Sequence, residues 1–434
     1  MYIISIGNGN VYKAHFTKLN MERTELKEII LDQNKSIREE NLIEREVYTL
    51  LEEYVKNPFI IVISGIRRSG KSTLLNQLRK KYAGYYLNFD DDRLIKFKIE
   101  DFQLLYETFI EIYGERNIFY FDEIQNVIGW ERFVRRLHDE RKKIFVTGSN
   151  ASMLSRELGT HLTGRHLGIT IFPFSFKEFL IFNNLELEKD SLYLTNMRGK
   201  IKKLFDEYIV RGGFPEYLRE GKTEYLKTLY ENIIYRDILV RYNLSSEKNL
   251  KELVYLSVNG ISKEISFNSF KKTLSLGSST TVKDYFDYLE NSFLIFLIQK
   301  FDYSLKKQIY SNRKVYCIDN GLATHLGFRI SQDNGKLLEN LVFIELKRRR
   351  KEIYYYANKK ECDFVLRSGI KINEVIQVCY ELNENDKERE ISGLKEAMDK
   401  FKLKEGLLLT HSQEDKLIIG GKMIIIKPIW KWLL

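Results

Sequence analysis

Length, composition and charge narrow the classes of protein that this sequence can form. At 434 residues the chain exceeds one domain of ordinary size, and its 44% of hydrophobic residues can fill several cores. Its longest apolar runs fall short of the roughly 20 residues that span a bilayer, and its start lacks a secretory pattern, so we expect a cytoplasmic protein without a membrane partner. Three cysteines exclude a disulfide framework, whereas a net charge of +10 suits an acidic partner such as nucleic acid.

The stretch NPFIIVISGIRRSGKSTLLNQL, residues 57–78, predicts a strand, a loop and a helix. The loop matches the pattern G-x-x-x-x-G-K-[ST], in which backbone N–H groups surround a phosphate, the lysine reaches the outer phosphates and the hydroxyl binds Mg²⁺. An ordinary Gly-Lys turn is the alternative. We predict a site for ATP and Mg²⁺ made by the loop residues Gly65, Ile66, Arg67, Arg68, Ser69, Gly70, Lys71, Ser72 and Thr73.

Two further predicted strands end in polar residues that suit such a site. The first, NIFYFDEIQ, supplies Asp122 for the Mg²⁺ shell and Glu123 as the base that orients water toward the γ-phosphate. The second, KIFVTGSN, ends in Ser149 and Asn150, either of which could sense the γ-phosphate. A turn and a cap for the helix predicted from ASMLSREL explain this second pair equally well.

These motifs, together with YYLNFDD, LTGRH and FPFSFKEFL, resemble the AAA-type ATPases widespread in archaea and bacteria, which join the ATPase to an uncharacterised C-terminal domain. The resemblance covers roughly residues 21–430 and implies functional roles for Lys71, Ser72, Asp122 and Glu123. It also implies that Arg165, in LTGRH, contacts the nucleotide of a neighbouring subunit in a homo-oligomer, although a solvated loop arginine is an equal alternative. Residues 1–20 lie outside the match, so we expect translation to start at either Met1 or Met21.

Downstream, the pattern predicts a helical lid over residues 176–245 and then a winged helix-turn-helix over 246–320. The second segment shows three short helices followed by a strand pair. Ser278 or Ser279 would cap its third helix. A helical module that only packs against protein is the alternative. If the module reads DNA, the residues facing the major groove are Ser279, Thr280, Thr281 and Lys283.

The last predicted domain, residues 321–434, resembles the core of restriction-endonuclease-like proteins. Glu339 on a helix, Asp363 on a strand and Gln377 on the next strand occupy the places of the family's Mg²⁺ ligands. Cys379 occupies the place of the family's lysine, and a thiol cannot hold the positive charge that lysine puts beside the attacking water. We therefore expect a retained fold, a missing ammonium and lost cutting, with Lys359 or Lys360 as conceivable substitutes.

The sequence thus predicts an α/β protein of several domains. A P-loop ATPase core of AAA type with a parallel sheet spans residues 21–175, after an N-terminal extension over residues 1–20. The lid, the winged helix and an inactive nuclease-like α/β domain follow it. The favoured function is Mg²⁺-dependent ATP hydrolysis coupled to DNA binding. An ATP-controlled signalling or assembly switch without DNA, and an ATP-regulated endonuclease, remain open alternatives.

Overall fold

The computed structural model of the protein describes residues 21–35, 43–150, 164–244, 246–327 and 334–434. The described residues form one sheet of five strands and one sheet of nine, with helices packed against both. The predicted N-terminal extension and the helix predicted from ASMLSREL lie outside the described residues.

A parallel sheet forms the core of the first part of the chain. Its strands are β1 (Ile60–Ser64), β2 (Tyr85–Asn88), β3 (Ile118–Asp122), β4 (Lys143–Gly148) and β5 (His166–Thr170). They lie in the order β2-β3-β4-β1-β5, and every neighbouring pair is parallel. Short β-branched and aromatic runs such as IIVIS in β1 form strands that are buried on both faces. The predicted α/β class with a parallel sheet is confirmed.

Helices cover both faces of this sheet. They are α1 (Arg23–Lys35), α2 (Tyr48–Val55), α3 (Lys71–Lys81), α4 (Phe102–Tyr113) and α5 (Trp130–Asp139), with short 3₁₀ turns at Asp92–Leu94, Ile99–Asp101 and Ile124–Asn126. Leu26, Phe109 and Trp130 pack on one face, and Leu51 and Leu75 pack on the other. Because both faces are covered, the edge formed by the carboxyl ends of the strands remains as the place for a ligand.

In the described part of residues 176–244, helices follow where the sequence predicted a lid. They are α6 (Phe176–Phe182), α7 (Thr195–Arg211), α8 (Pro215–Glu220) and α9 (Thr223–Asn232), and α9 continues into a π-helix (Ile233–Val240). The π-helix buries Ile233, Ile234 and Ile238. Such wide turns are uncommon and are frequently found at functional sites.

The rest of the chain builds a nine-stranded sheet and eight described helices. The helices are α10 (Glu247–Asn259), α11 (Phe267–Thr273), α12 (Ser279–Asn291), α13 (Leu305–Tyr310), α14 (Asn320–Leu326), α15 (Asn334–Arg348), α16 (Glu384–Phe401) and α17 (Ile429–Leu433). The strands are β6 (Glu264–Ile265), β7 (Ile295–Lys300), β8 (Arg313–Cys317), β9 (Glu352–Ala357), β10 (Glu361–Ser368), β11 (Lys371–Val378), β12 (Glu405–Thr410), β13 (Asp415–Ile419) and β14 (Lys422–Pro428).

The nine strands lie in the order β13-β14-β12-β11-β10-β9-β7-β8-β6. Helices α10 to α12 precede the antiparallel strand pair β7 and β8. Three helices followed by a strand pair is the order that the sequence predicted for a winged helix. At its other edge β7 pairs in parallel with β9, so that Gln299 lies opposite Tyr354. Strands from the predicted winged helix and from the predicted nuclease-like domain therefore share one sheet.

A single apolar cluster unites the lid with the parts that follow it. Its buried members include Phe205 of α7, Leu253 of α10, Phe286 of α12, Leu338 of α15 and Trp430 of α17. Since a core of this kind resists relative motion of the elements that share it, the lid and the nine-stranded sheet are expected to move as one unit.

None of the described helices is both long and apolar enough to cross a bilayer.

Candidate functional site

The loop between β1 and α3 has the backbone shape that the sequence pattern predicts. It leaves the sheet after Ser64, and the helix begins at Lys71. Gly70 has φ 98°, in the region that favours glycine. At Gly65, with φ 149°, an added Cβ would lie 2.2 Å from the carbonyl oxygen of Ile171. Both glycines are therefore required by the loop itself.

Lys71 is buried, and its ammonium is held inside the loop. Nζ donates to the carbonyl oxygens of Gly65 at 3.0 Å and Ile66 at 3.2 Å, and it lies 3.6 Å from Glu123 Oε1. A positive charge is thus fixed at the start of a helix whose N-terminal N–H groups also attract anions.

Asp122 ends β3 with its carboxylate fully buried. Thr147 Oγ1 donates to Oδ1 in a short hydrogen bond, and Tyr86 Oη donates to Oδ2 at 3.3 Å. Burial and the neighbouring Glu123 raise the pKa of Asp122, and hydrogen bonds from Ser72 and Thr147 oppose that rise. The Ser72 hydroxyl and the Asp122 carboxylate are therefore adjacent oxygen donors, the ligand type that Mg²⁺ prefers.

Glu123 follows in a left-handed conformation, with φ 50°, that turns its side chain toward the loop. Its backbone N–H donates to Thr147 Oγ1 at 2.9 Å, and Gln125 Nε2 donates to its Oε2 at 2.5 Å. Burial alone would raise the pKa of Glu123, but Lys71, Gln125 and Arg67 outweigh burial and lower it. The two adjacent carboxyl groups are thus shifted in opposite directions, as acid–base sites often require.

The residues after β4 connect the sheet to the lid. Asn150 is buried, and its Nδ2 donates to Tyr242 Oη at 3.3 Å. Ser149 Oγ donates to Asp237 Oδ1, in the π-helix, at 3.4 Å. Because β4 lies between β1 and β3, Asn150 is placed between the loop and the carboxylate pair.

Two arginines of the loop are bound by carboxylates that the sequence did not single out. Arg67 donates from Nε to Asp237 Oδ2 at 3.0 Å and from Nη2 to Oδ1 at 2.9 Å. Arg68 donates from Nη1 to Glu216 Oε2 at 2.8 Å and Oε1 at 3.1 Å. Two adjacent arginines inside a phosphate loop indicate that carboxylates bind them. These carboxylates could not be identified from the local sequence, because they lie in the lid.

Arg45 is a further buried residue that the sequence did not mark. It donates from Nη1 to the carbonyl oxygen of Ser69 at 2.7 Å, from Nη2 to that of Phe172 at 2.6 Å, and from Nε to Glu178 Oε1 at 2.9 Å. The hydroxyl of Ser69 is buried and makes no hydrogen bond within the described residues. Arg45 therefore links the loop to the segment that contains Phe172 and Glu178.

Arg165 lies at the opposite end of the sheet from the loop. Its carbonyl oxygen accepts from Ile60 N, at the amino end of β1, at 2.9 Å, and its Nη1 donates to Asp139 Oδ1 at 2.7 Å. Gly65 follows the carboxyl end of the same strand. Arg165 cannot reach the loop of its own chain, so the predicted role toward a neighbouring subunit and the alternative of a solvated loop arginine both stay open.

The residues predicted to form a nuclease-like site do converge in the C-terminal part. Glu339, Asp363, Gln377 and Cys379 line one cavity of about 780 Å³, together with both substitutes considered from the sequence, Lys359 and Lys360. Cys379 is 8% exposed, and its N–H donates to the carbonyl oxygen of Leu409 at 3.0 Å.

The expectation that this cavity lacks an ammonium is wrong. Lys314 of β8, 1% exposed, places Nζ 3.0 Å from Glu339 Oε1, 3.0 Å from Asp363 Oδ1 and 2.6 Å from Glu361 Oε1. Burial alone would lower the pKa of Lys314, but Asp363 and Glu339 outweigh burial and raise it. Burial and the neighbouring Asp363 raise the pKa of Glu339, and Lys314 and Tyr316 oppose that rise. The lysine comes from the strand pair of the predicted winged helix, which the sequence predicted as a domain separate from the nuclease-like one.

The DNA-reading residues predicted on α12 lie near its start. Ser278 caps the helix, as expected, because its side chain accepts from Thr280 N at 3.0 Å. Thr280 and Lys283 are exposed, whereas Ser279 and Thr281 are half-buried. The exposed residues Asp284 and Asp287 follow on the same helix, so its cationic character is confined to one lysine.

Comparison with known proteins finds three matched segments in the chain. Residues 57–180 match the model of an AAA domain, AAA_14. Residues 202–334 and 334–432 match two domains of unknown function, DUF8612 and DUF4143. The parallel sheet, its phosphate loop and the Asp122–Glu123 pair define the first part as a nucleotide-binding AAA domain of the ATPase type.

The relatives extend the match over almost the whole chain. Uncharacterized protein MJ1544 of Methanocaldococcus jannaschii is 37% identical over 430 residues, 94% of either chain. An uncharacterized protein of Haemophilus influenzae is 33% identical over 408 residues, 90% of this chain and 98% of its own. The protein therefore belongs to the family of these archaeal and bacterial proteins. In this chain an AAA domain precedes two domains of unknown function.

Solved structures are matched more distantly. AMPPCP-bound DnaA from Aquifex aeolicus shows 20% identity and a TM-score of 0.24, covering 58% of this chain and 90% of its own. PCH-2 of C. elegans shows 10% identity and a TM-score of 0.22, covering 39% of this chain and 48% of its own.

Proposed function

We propose that the protein hydrolyses ATP with Mg²⁺ and couples hydrolysis to DNA binding. The observation that carries the first part is the convergence of Lys71, Ser72, Asp122 and Glu123 at the carboxyl edge of the parallel sheet. Phosphoryl transfer needs little beyond positioning and charge, and these side chains supply a cation, two oxygen ligands and a base.

Each of these residues has a distinct task. Lys71, already fixed in the loop, holds the outer phosphates. Ser72 and Asp122 are the oxygen donors that would hold Mg²⁺, which neutralises phosphate charge when it is bound. Glu123 orients the attacking water, and its lowered pKa keeps it ionised and able to accept a proton at neutral pH. Asn150 supplies a polar group between the loop and the carboxylate pair. Its hydrogen bond to Tyr242 transmits the presence of the γ-phosphate to the lid.

Arg165 is proposed to serve the site of a neighbouring copy. Its guanidinium is partly exposed and is held by the exposed Asp139, so an exchange of partner costs little. A homo-oligomer would bring this end of one sheet against the open edge of the next.

The DNA part rests on charge and on the elements around α12. The net charge of the chain is +10. The first two turns of α12, which Ser278 caps, contain hydroxyl residues and Lys283. The acidic residues farther along α12 limit any groove contact to its start. The protein-only switch differs from this proposal in requiring no response to DNA at all.

ATP turnover of the full chain tests the ATPase. Lys71→Ala is expected to abolish turnover and weaken nucleotide binding, because it removes the phosphate contact. Glu123→Gln is expected to retain ATP and lower turnover by about 10²- to 10⁴-fold, the usual contribution of a positioned base. Lys80→Ala and Glu115→Gln, both at exposed positions, are the matched controls. Unchanged turnover in Lys71→Ala or Glu123→Gln would remove the site assignment.

The same assay with single-stranded and double-stranded DNA tests the coupling. Turnover that rises with either DNA supports coupling, and turnover unaffected by both, with no mobility shift at low salt, favours the protein-only switch. Cleavage of plasmid by the wild-type protein would favour the endonuclease alternative instead.

A further inference from the structure

Carboxylates that line the C-terminal cavity are already bound to a buried cation. We propose that Lys314 takes the place of a divalent metal ion among the carboxylates of this nuclease-like cavity, so that the wild-type protein binds no metal there. An ammonium has three N–H donors, and Lys314 Nζ has one carboxylate oxygen within 3.0 Å for each of them, on Glu339, Glu361 and Asp363. This inference does not depend on the proposed ATPase.

The strand geometry explains why the lysine points toward the carboxylates that line the cavity. Residues two apart on a strand share a face, and Lys314 shares its face of β8 with Tyr316. Tyr316 Oη donates to the same Glu339 Oε1 at 2.7 Å. One strand thus delivers two donors to an oxygen that would otherwise be a metal ligand.

The remaining candidate ligands are also occupied by protein donors. Asp363 Oδ2 accepts from Val378 N at 3.0 Å. The side-chain oxygen of Gln377 accepts from Asp363 N at 3.2 Å, and its Nε2 donates to Glu390 Oε2 at 2.8 Å. In the described residues, no group of three or more His, Cys, Asp and Glu side chains is arranged to hold a metal ion.

A metal ion would have to displace the ammonium. Mg²⁺ binds its oxygen ligands at about 2.0–2.1 Å, so it cannot share Glu339 and Asp363 with a cation already 3.0 Å from both. The two positive charges would also repel each other strongly in a buried place. The set of residues therefore fits an internal ion cluster and does not fit the metal that a nuclease core uses.

The converse change should create a metal site. Removing the ammonium leaves two buried carboxylates and a third at the rim without their counter-charge, an arrangement that attracts a cation. Lys314→Met keeps most of the volume of the side chain and removes the charge. Lys314→Gln keeps a donor and is the second variant. Lys314 lies outside the nucleotide site, and circular dichroism of each variant reports whether it has folded.

Mn²⁺ binding to the nucleotide-free full chain, followed by electron paramagnetic resonance, tests the proposal. The wild-type protein and Asp363→Asn are expected to bind the same number of Mn²⁺ ions. Lys314→Met is expected to bind one more ion per chain than the wild type. The double variant Lys314→Met/Asp363→Asn is expected to lose this additional ion. The Asp363 dependence separates this site from any ion held near Asp122. An Asp363-dependent ion in the wild type would overturn the proposal, and so would folded Lys314 variants that gain none.

Thermal melting covers the case in which the charge removal unfolds the domain. The melting temperature of Lys314→Met or Lys314→Gln is then expected to rise with added Mn²⁺ and to rise less when Asp363→Asn is also present. Variants that stay unfolded at every Mn²⁺ concentration, or that respond to Mn²⁺ no more than the wild type, would contradict the proposal.

Discussion

Arg45 offers a direct test of how the phosphate loop is held, because one side chain joins the loop to two distant segments. Its three donors bind a loop carbonyl, the carbonyl of Phe172 and the carboxylate of Glu178. The side chains of Arg45 and Glu178 are only 6% and 3% exposed. The change Arg45→Met removes the charge and the donors while it keeps a long side chain.

The expected loss of stability follows from what is left behind. Breaking a buried ion pair by removing one partner typically costs about 3–5 kcal/mol, since the remaining charge is uncompensated. Arg348 also contributes to lowering the pKa of Glu178, and a cavity of about 400 Å³ adjoins the pair, so relief by Arg348 and by water is available. We therefore expect about 3 kcal/mol, at the lower end of the range.

Urea unfolding, followed by circular dichroism, measures this loss. Glu178→Gln alone and the double variant complete a thermodynamic cycle, and the double variant is expected to lose less than the two single losses combined. Arg135→Met is the matched control, because Arg135 is 52% exposed and 3.9 Å from Asp139, a pair worth about 0–1 kcal/mol. A loss for Arg45→Met no larger than that of the control, or strict additivity in the cycle, would refute the reasoning.

Three other outcomes follow from the geometry. Burial raises the pKa of Asp319 from 3.8 to about 6. The contribution of its protonated form to stability is therefore fully present below pH 3.8 and is lost as the pH rises through 6. Asp319→Asn should remove this pH dependence from the melting temperature between pH 4 and 7. Cys379→Lys alone is expected to leave plasmid cleavage with Mg²⁺ undetectable while Lys314 occupies the carboxylates, and cleavage by this variant would show that a metal still binds. Lys283→Ala should weaken DNA binding and reduce its salt slope by about 1, and an unchanged slope would place the contact elsewhere.

The sequence predicted the parts of the nucleotide site that are encoded locally. The strand Ile60–Ser64, the glycine-bracketed loop and the helix start at Lys71 are consecutive in the sequence, so the pattern specifies both the residues and their geometry. Asp122 and Asn150 could be placed because the carboxyl ends of parallel strands meet at one edge. The order of the strands was not needed for that inference.

The partners of the loop could not be predicted, since they are distant in sequence. Asp237 binds Arg67 from 170 residues away, and Glu178 binds Arg45 from 133 residues away. Lys314 is hidden in the same way, because a single lysine in a buried strand shows no pattern. Its role depends on β7 pairing with β9, which joins two segments that the sequence predicted as separate domains.

The loop and the C-terminal cavity are linked through one helix, and this connection has a measurable consequence. Arg45 joins the loop carbonyl of Ser69 to Glu178, and Arg348 of α15 donates to the carbonyl of Pro173 at 3.1 Å, on the segment that leads to Glu178. The same helix carries Glu339 into the cavity. A nucleotide that shifts the loop must change these contacts, and any coupling between two sites acts equally in both directions. We therefore expect ATP to slow hydrogen exchange in α15 in the wild type, and the effect to be lost in Arg45→Met. Equal protection of α15 with and without nucleotide in the wild type would mean that the two sites act independently.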